Sequence, residues 1–213
     1  MKTLAVVVGN NNYYQGAELE NAVNDAKAMA QVFRCLDYDV SEYLDCRACD
    51  YSQLVDDLDK SLADREYDAS IFYYAGHGFE VDGENYLASI ECQVTTPTKG
   101  DCNRTCLRLT EILEIYSKHP EKLNIMIIDA CRRSFGRGGG ASFVPMQAPQ
   151  GTLIAFSTSP NQVSKDGGGQ DGHSVYTYAL LQYIGREYLS VEDLFKKVRR
   201  TVYDLTDGFQ IPW

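Results

Sequence analysis

No stretch of this sequence approaches the length of a membrane span, and the apolar run nearest the N-terminus, Leu4 to Val8, is too short for the core of a signal peptide. The expectation is a soluble, cytoplasmic chain with no membrane partner. Cationic side chains are scarce: 20 Lys and Arg stand against 30 Asp and Glu, a net charge of -10. Binding a phosphate backbone needs clustered cations, so nucleic acid is not an expected partner. No internal repeat or low-complexity linker divides the chain. The glycine-rich segment S-F-G-R-G-G-G-A-S from Ser134 is followed by no G-K-[ST], which excludes a phosphate-binding loop of that type.

What is present is ordinary for a globular protein: 44% hydrophobic, 11% aromatic and 23% charged residues over 213 positions. That composition excludes disorder, collagen-like and coiled-coil classes, and the length suits one domain with a real core. The acidity is uneven. Residues 1 to 130 carry 11 basic and 23 acidic side chains, whereas 131 to 213 carry 9 and 7. Much of the excess falls between 37 and 68, where Asp56, Asp57, Asp59 and Asp64 read as the solvated face of a helix rather than as a site. The seven cysteines cannot all pair within the chain, and in a reducing compartment they stay thiols. Cys46 and Cys49 with Cys102 and Cys106 have pairs of metal-ligand residues, but their separation is long for a compact zinc ribbon and the second pair is spaced by three. The reading is therefore loop or core cysteines and no metal.

Apolar strand-like runs alternate with helix-period segments. Leu4 to Val8 is followed by Leu19, Ala22, Val23, Ala26, Ala30 and Phe33 at helical spacing, then by a short strand ending near Tyr43 and Leu44. Ser52 is a plausible cap for a second helix with Leu54, Val55, Leu58 and Leu62 on one face. Ala69 to Tyr74 and Leu123 to Ile128 read as buried strands, with a loop-rich stretch from Glu80 to Thr105 and a helix over Thr110 to Ser117 between them. Leu153 to Phe156 is a further strand. After another glycine-rich loop, from Asp166 to Gly172, come two helices. The second begins with the capping box Ser190 to Asp193 and presents Val191, Leu194, Phe195, Val198 and Val202 on one side. This alternation predicts an α/β fold with a mainly parallel sheet and helices on both faces.

Two chemically capable residues occupy equivalent places. His77 follows I-F-Y-Y-A-G and Cys131 follows I-M-I-I-D-A, so each leaves the carboxyl end of a predicted buried strand, the edge where ligands bind in open α/β sheets. Neighbouring strands lie about 4.8 Å apart, close enough for an imidazole to take the proton of a thiol. Gly76 and Gly78 flank the histidine, and the N–H groups of Gly78 and Cys131 are candidate oxyanion donors. The plainer reading is a small buried cysteine and a turn histidine. Of the other two histidines, His119 precedes a proline and His173 lies in the second glycine-rich loop, and neither adds to this pair.

Y-Y-A-G-H-G-F-E and I-I-D-A-C-R-R resemble the catalytic pair of caspase-like cysteine peptidases, whose pattern is Q-A-C-[RQG]-G with a histidine about 50 residues upstream. Here the two residues are 54 apart. The resemblance runs from V-V-V-G-N-N-N-Y through F-S-T-S-P and G-H-S-V-Y-T-Y-A-L-L to Q-I-P-W, nearly the whole chain. It implies a caspase-like three-layer sandwich over residues 1–213, with a large-subunit-like region to about 133, a glycine-rich linker over about 134–150 and a small-subunit-like region from about 151. It also implies thioester chemistry by Cys131 with His77, and no cofactor; calcium has no assignable ligand spacing.

The departures from the animal caspases bear on the substrate. Caspases cut after Asp and carry Gln two residues before the nucleophile; this chain has Asp129 there, as paracaspases and metacaspases do, and those relatives cleave after Arg or Lys. Asp25, in A-V-N-D-A-K-A-M, matches an Asp on the first helix of the paracaspase pattern. Asp166 is a third candidate for the first specificity pocket, from a gap-free comparison after F-S-T-S-P that also sets Val163 where a paracaspase acid lies. The expected partners are protein or peptide substrates with a basic P1 residue, bidentate pairing favouring Arg over Lys. The alternative is an interaction module of the same fold without turnover. Arg132, Arg133 and Arg137 follow the nucleophile where the family is often cut during activation, which makes them candidates for autocleavage. In caspases a final, dimer-forming strand follows the segment resembling Q-I-P-W; the sequence here ends at Trp213, so an open sheet edge, or a module of a longer protein, is expected.

Overall fold

The computed structural model describes residues 1–14, 17–64, 66–135, 143–144, 146–159 and 170–213, with backbone alone for 131–135 and 170. Five parallel strands form the body of the sheet: β1 (Thr3–Gly9), β2 (Asp39–Leu44), β3 (Ala69–Val81), β6 (Leu123–Phe135) and β7 (Thr152–Phe156), in the spatial order β2-β1-β3-β6-β7. Two short strands extend the far half of β3: β4 (Glu84–Ala88) pairs antiparallel with β3, and β5 (Cys106–Arg108) pairs antiparallel with β4. Every residue of β1 is buried, as befits a central strand covered on both faces.

Alternation of side chains along the strands divides the core in two. Ala5, Val7, Ile71, Tyr73, Ile125 and Ile127 face α1 (Ala22–Cys35), α5 (Val175–Tyr183) and α6 (Val191–Leu205). Leu4, Val6, Val8, Phe72, Tyr74, Met126 and Ile128 face α2 (Ala48–Ala63) and α4 (Leu109–Ser117). The result is the expected three-layer sandwich. On α6 the apolar side behaves as its spacing predicts: Val198 and Val202 are buried, Val191, Leu194 and Phe195 pack beside them, and the Ser190 hydroxyl accepts the Asp193 N–H at 3.2 Å.

Several boundaries differ from the sequence reading, each because a distant group intervenes. Helix α1 starts at Ala22 rather than near Leu19, with the Asn11 side chain accepting the Val23 N–H at 2.9 Å. Ser52 is not the cap of α2: the helix starts four residues earlier, where Asp50 accepts the Arg47 N–H at 2.7 Å and Glu91, from beyond β4, accepts the Ala48 N–H at 3.1 Å. The stretch from Glu80 to Thr105 is not mainly loop; it holds the end of β3, all of β4 and α3 (Lys99–Thr105), because Phe79, Val81, Tyr86 and Ala88 bury a third, smaller apolar cluster. Strands β3 and β6 continue past Tyr74 and Ile128 to Val81 and Phe135, still paired. On the outer side of β7, Trp213 and Phe156 exchange both backbone hydrogen bonds, at 2.7 and 2.9 Å, so this edge is partly covered at Phe156 rather than fully open.

Candidate active site

The site begins with a change of partner along β3. Through Ala75 its inner edge pairs with β1, and from Gly78 the same strand pairs with β4. Between them two phenols take the place of a strand: the Tyr13 hydroxyl accepts the His77 N–H at 2.9 Å and the Tyr74 hydroxyl donates to the His77 carbonyl at 2.8 Å. Burial pushes the Tyr13 phenol up, well clear of ionisation at neutral pH. A side chain at Gly76, whose φ is +155°, would meet both hydroxyls, at 2.5 and 2.6 Å. Glycine is needed there for the phenols to reach the backbone.

The His77 ring is half-buried, with Tyr13 edge-on at 4.5 Å between centroids. Its Nε2 lies 2.8 Å from the Ala17 carbonyl, which fixes the Nε2–H tautomer and leaves the basic lone pair on Nδ1. Across the β3–β6 ladder the residue in register with His77 is Cys131. The backbone therefore brings the two candidates opposite one another on neighbouring strands. They sit inside the ladder rather than just past its end. Gly78 also lies within the sheet, in register with Leu87 on one side and Arg132 on the other. A Cβ on Gly78 would approach Phe143 to 2.6 Å and Ala130 to 3.0 Å.

On the α1 and α5 face of the sheet the structure gathers Asp25 and Asp129 at the N-terminus of α5, Asp129 standing two residues before Cys131 on β6. Both are buried, at 1% and 6% exposure. Asp25 accepts the Ser174 N–H at 3.2 Å and faces Nδ1 of His173 at 2.8 Å. Asp129 accepts the hydroxyls of Ser174 and, at 2.9 Å, Thr177. Tyr73 closes this network from below through Thr177, and its phenol is pushed far above its ordinary value by burial first, then by the negative charges of Asp25 and Asp129. Burial pulls the His173 imidazole below its usual value, against the opposing charge of Asp171, and its Nδ1–H donates to Asp25. The amide end of a helix and two hydroxyls thus surround two carboxylates, an arrangement that favours negative charge.

His173, Ser174, Thr177 and Tyr13 were not candidates from the sequence. Tyr13 stands four residues past β1, at the sheet edge that harbours ligands, and S-V-Y-T reads as a helix start, so both had a local signal. His173 had none. Asp166 and Arg137 lie outside the described residues, as do the side chains of Cys131, Arg132 and Arg133. The cysteine grouping differs from the two sequence pairs: Cys46 is buried among core residues and Cys49 is exposed on α2, whereas Cys92 joins Cys102 and Cys106 in one cluster. Among the described residues no helix is long and apolar enough to cross a membrane.

Comparison with known proteins gives a consistent picture. Residues 2–213 match the family model described as the caspase domain. The mouse mucosa-associated lymphoid tissue lymphoma translocation protein 1 homolog is 27% identical over 136 residues, covering 61% of this chain and 15% of that protein. The human protein of that name is 27% identical over 130 residues, with the same coverage of 61% and 15%. The chain thus spans a small part of the length of these curated relatives. Among solved structures, protein GSU0716 from Geobacter sulfurreducens superposes with a TM-score of 0.73 at 15% identity, covering 100% of this chain and 92% of that one. The Drosophila initiator caspase Dronc gives 0.70 at 15% identity, covering 99% and 78%. At that identity the likeness concerns the fold.

Proposed function

The chain belongs to the caspase domain family of cysteine peptidases, and from that premise we propose that it is an endopeptidase that cleaves protein chains after basic residues, Arg in preference to Lys, through Cys131 and His77. The observation that carries this reading is the register of His77 against Cys131, together with the bond that holds the His77 ring by Nε2.

Nδ1 of His77 takes the thiol proton of Cys131. The sulfur attacks the carbonyl carbon of the P1 residue and the C=O π pair moves to oxygen; collapse expels the P1' amine, which leaves with the proton from Nδ1. Nδ1 then deprotonates water, and the hydroxide so formed releases the acid from the thioester and returns the thiol. Throughout, Nε2–H stays on the Ala17 carbonyl, so one tautomer serves both half-reactions. Asp129 and Asp25 supply the negative charge that pairs with a P1 guanidinium, and the hydroxyls of Ser174 and Thr177 hold Asp129 in place. The same preference makes Arg132, Arg133 and Arg137, just after the nucleophile, targets for self-cleavage.

Fluorogenic peptides differing only at P1 test the reading. Turnover of the Arg peptide, weaker turnover of the Lys peptide, none of the Asp peptide and loss of all turnover in Cys131→Ala are expected. Cleavage confined to Asp would overturn the pocket assignment, and a folded chain inert toward every P1 residue would favour an interaction module. Wild-type chain that stays intact while turning over the Arg peptide would remove self-cleavage.

A further inference from the structure

A second cluster of reactive side chains lies outside the proposed machinery. Cys92 follows β4, whereas Cys102 on α3 and Cys106 at the start of β5 lie four residues apart on one continuous stretch, so two stretches of chain contribute the three thiols. Their sulfurs all lie within 4.8 Å of one another, and none is in a disulfide. Cys92 and Cys102 are buried at 1% and 0% exposure, while Cys106 is partly exposed and leaves one side open to solvent. Three sulfurs arranged tetrahedrally around zinc at about 2.3 Å stand roughly 3.8 Å apart, a spacing this cluster reaches by small side-chain rotations.

We propose that Cys92, Cys102 and Cys106 form a thiolate site for a zinc ion, with the fourth position taken by a solvent ligand on the Cys106 side. Binding converts three thiols to thiolates, releases three protons and forms three Zn–S bonds; no oxidant is consumed. Neighbouring contacts hold the segments together in the same arrangement. Gln93 donates its N–H to Asp101 at 3.4 Å, and the Thr105 hydroxyl donates to the Asp101 carbonyl at 2.9 Å. A metal here would cross-link the continuous α3–β5 stretch to the turn after β4, between which the three cysteines form no disulfide. The site adjoins the machinery as well: the three cysteines pack in one apolar cluster with Tyr13 and Phe79, and Tyr13 holds the backbone of His77. The ion therefore braces the outer hairpin beneath the histidine and takes no part in bond breaking.

The test uses the whole chain expressed with zinc in the medium, purified under reducing conditions and dialysed against a weak chelator before metal analysis. About one zinc per wild-type chain is expected, falling below about a tenth of that in Cys102→Ser, while Cys49→Ser, on the surface of α2, retains the wild-type content. Because Cys102→Ser can fail to fold, alkylation of the wild-type chain followed by peptide mass analysis gives an independent reading. Zinc should protect Cys92, Cys102 and Cys106 together, and strong chelation should expose all three while lowering the melting temperature. Wild-type chain that binds no zinc, zinc content equal in folded Cys102→Ser, or a disulfide between any two of the three would each overturn the proposal.

Discussion

At the scale of single residues, the account turns on groups that act through others. In the proposed reaction Tyr13 is a positioning residue: its hydroxyl accepts the His77 N–H, and removing it leaves that donor without its partner at a cost of about 1–3 kcal/mol. Tyr13→Phe keeps the ring in its apolar cluster, so the chain should fold while kcat falls about tenfold with KM nearly unchanged; an equal rise in KM would mean the hydroxyl serves substrate binding instead. Asp129→Asn should keep its bonds from Ser174 and Thr177 and lose only the charge. The expected result is a loss of about a hundredfold or more in kcat/KM for the Arg peptide, with a smaller loss for a neutral P1 residue. Uniform loss across P1 residues would assign Asp129 a purely structural role. The cysteines divide by environment. Burial, with the charges of Asp50 and Asp45, pushes the Cys46 thiol up to about 12, so at pH 8 only about one molecule in ten thousand holds its thiolate. Iodoacetamide should modify exposed Cys35 and Cys49 quickly and leave Cys46 essentially unmodified until the chain unfolds.

At the scale of elements, the decisive feature is the change of partner along β3. Gly76→Ala would drive a methyl group into the hydroxyls of Tyr13 and Tyr74, at 2.5 and 2.6 Å from the new carbon. Activity should be lost and stability reduced by about 1–3 kcal/mol, measured by denaturant titration. A variant with wild-type stability and activity would mean that the phenols do not bracket the histidine in solution. Helix α6 offers a contrasting case, since Ser190→Ala removes a single local cap and should cost only about 1 kcal/mol. These two cases also mark what a sequence reader can see. The strands β1, β3, β6 and β7, the helix face of α6 and the cap at Ser190 are legible because their information is local: alternation, helical spacing, a hydroxyl three residues before its donor. The starts of α1 and α2 are illegible because Asn11 and Glu91 reach them through space. The hairpin β3–β4 was hidden by polar residues at a turn whose buried positions become apparent only once Phe79, Val81 and Tyr86 share a cluster.

At the scale of the whole molecule, a two-faced core fixes the site by holding five parallel strands in register. His77 and Cys131 were legible as candidates from their motifs, and their register follows from burial on both faces, since a one-residue slip of β6 would invert every side chain of Met126 to Ile128. The acidic network was legible only in part: Asp25 and Asp129 are 104 positions apart, and their meeting at α5 depends on α1 and α5 packing against the same face. The most direct measurement joins both halves of the claim in one event, the labelling of the whole chain by electrophilic peptides that end in Arg or in Asp. The account predicts that the Arg probe forms one covalent adduct, mapped by mass spectrometry to Cys131, that His77→Ala suppresses it, and that the Asp probe leaves the chain unlabelled. Labelling at another cysteine, labelling indifferent to His77, or preference for the Asp probe would contradict it.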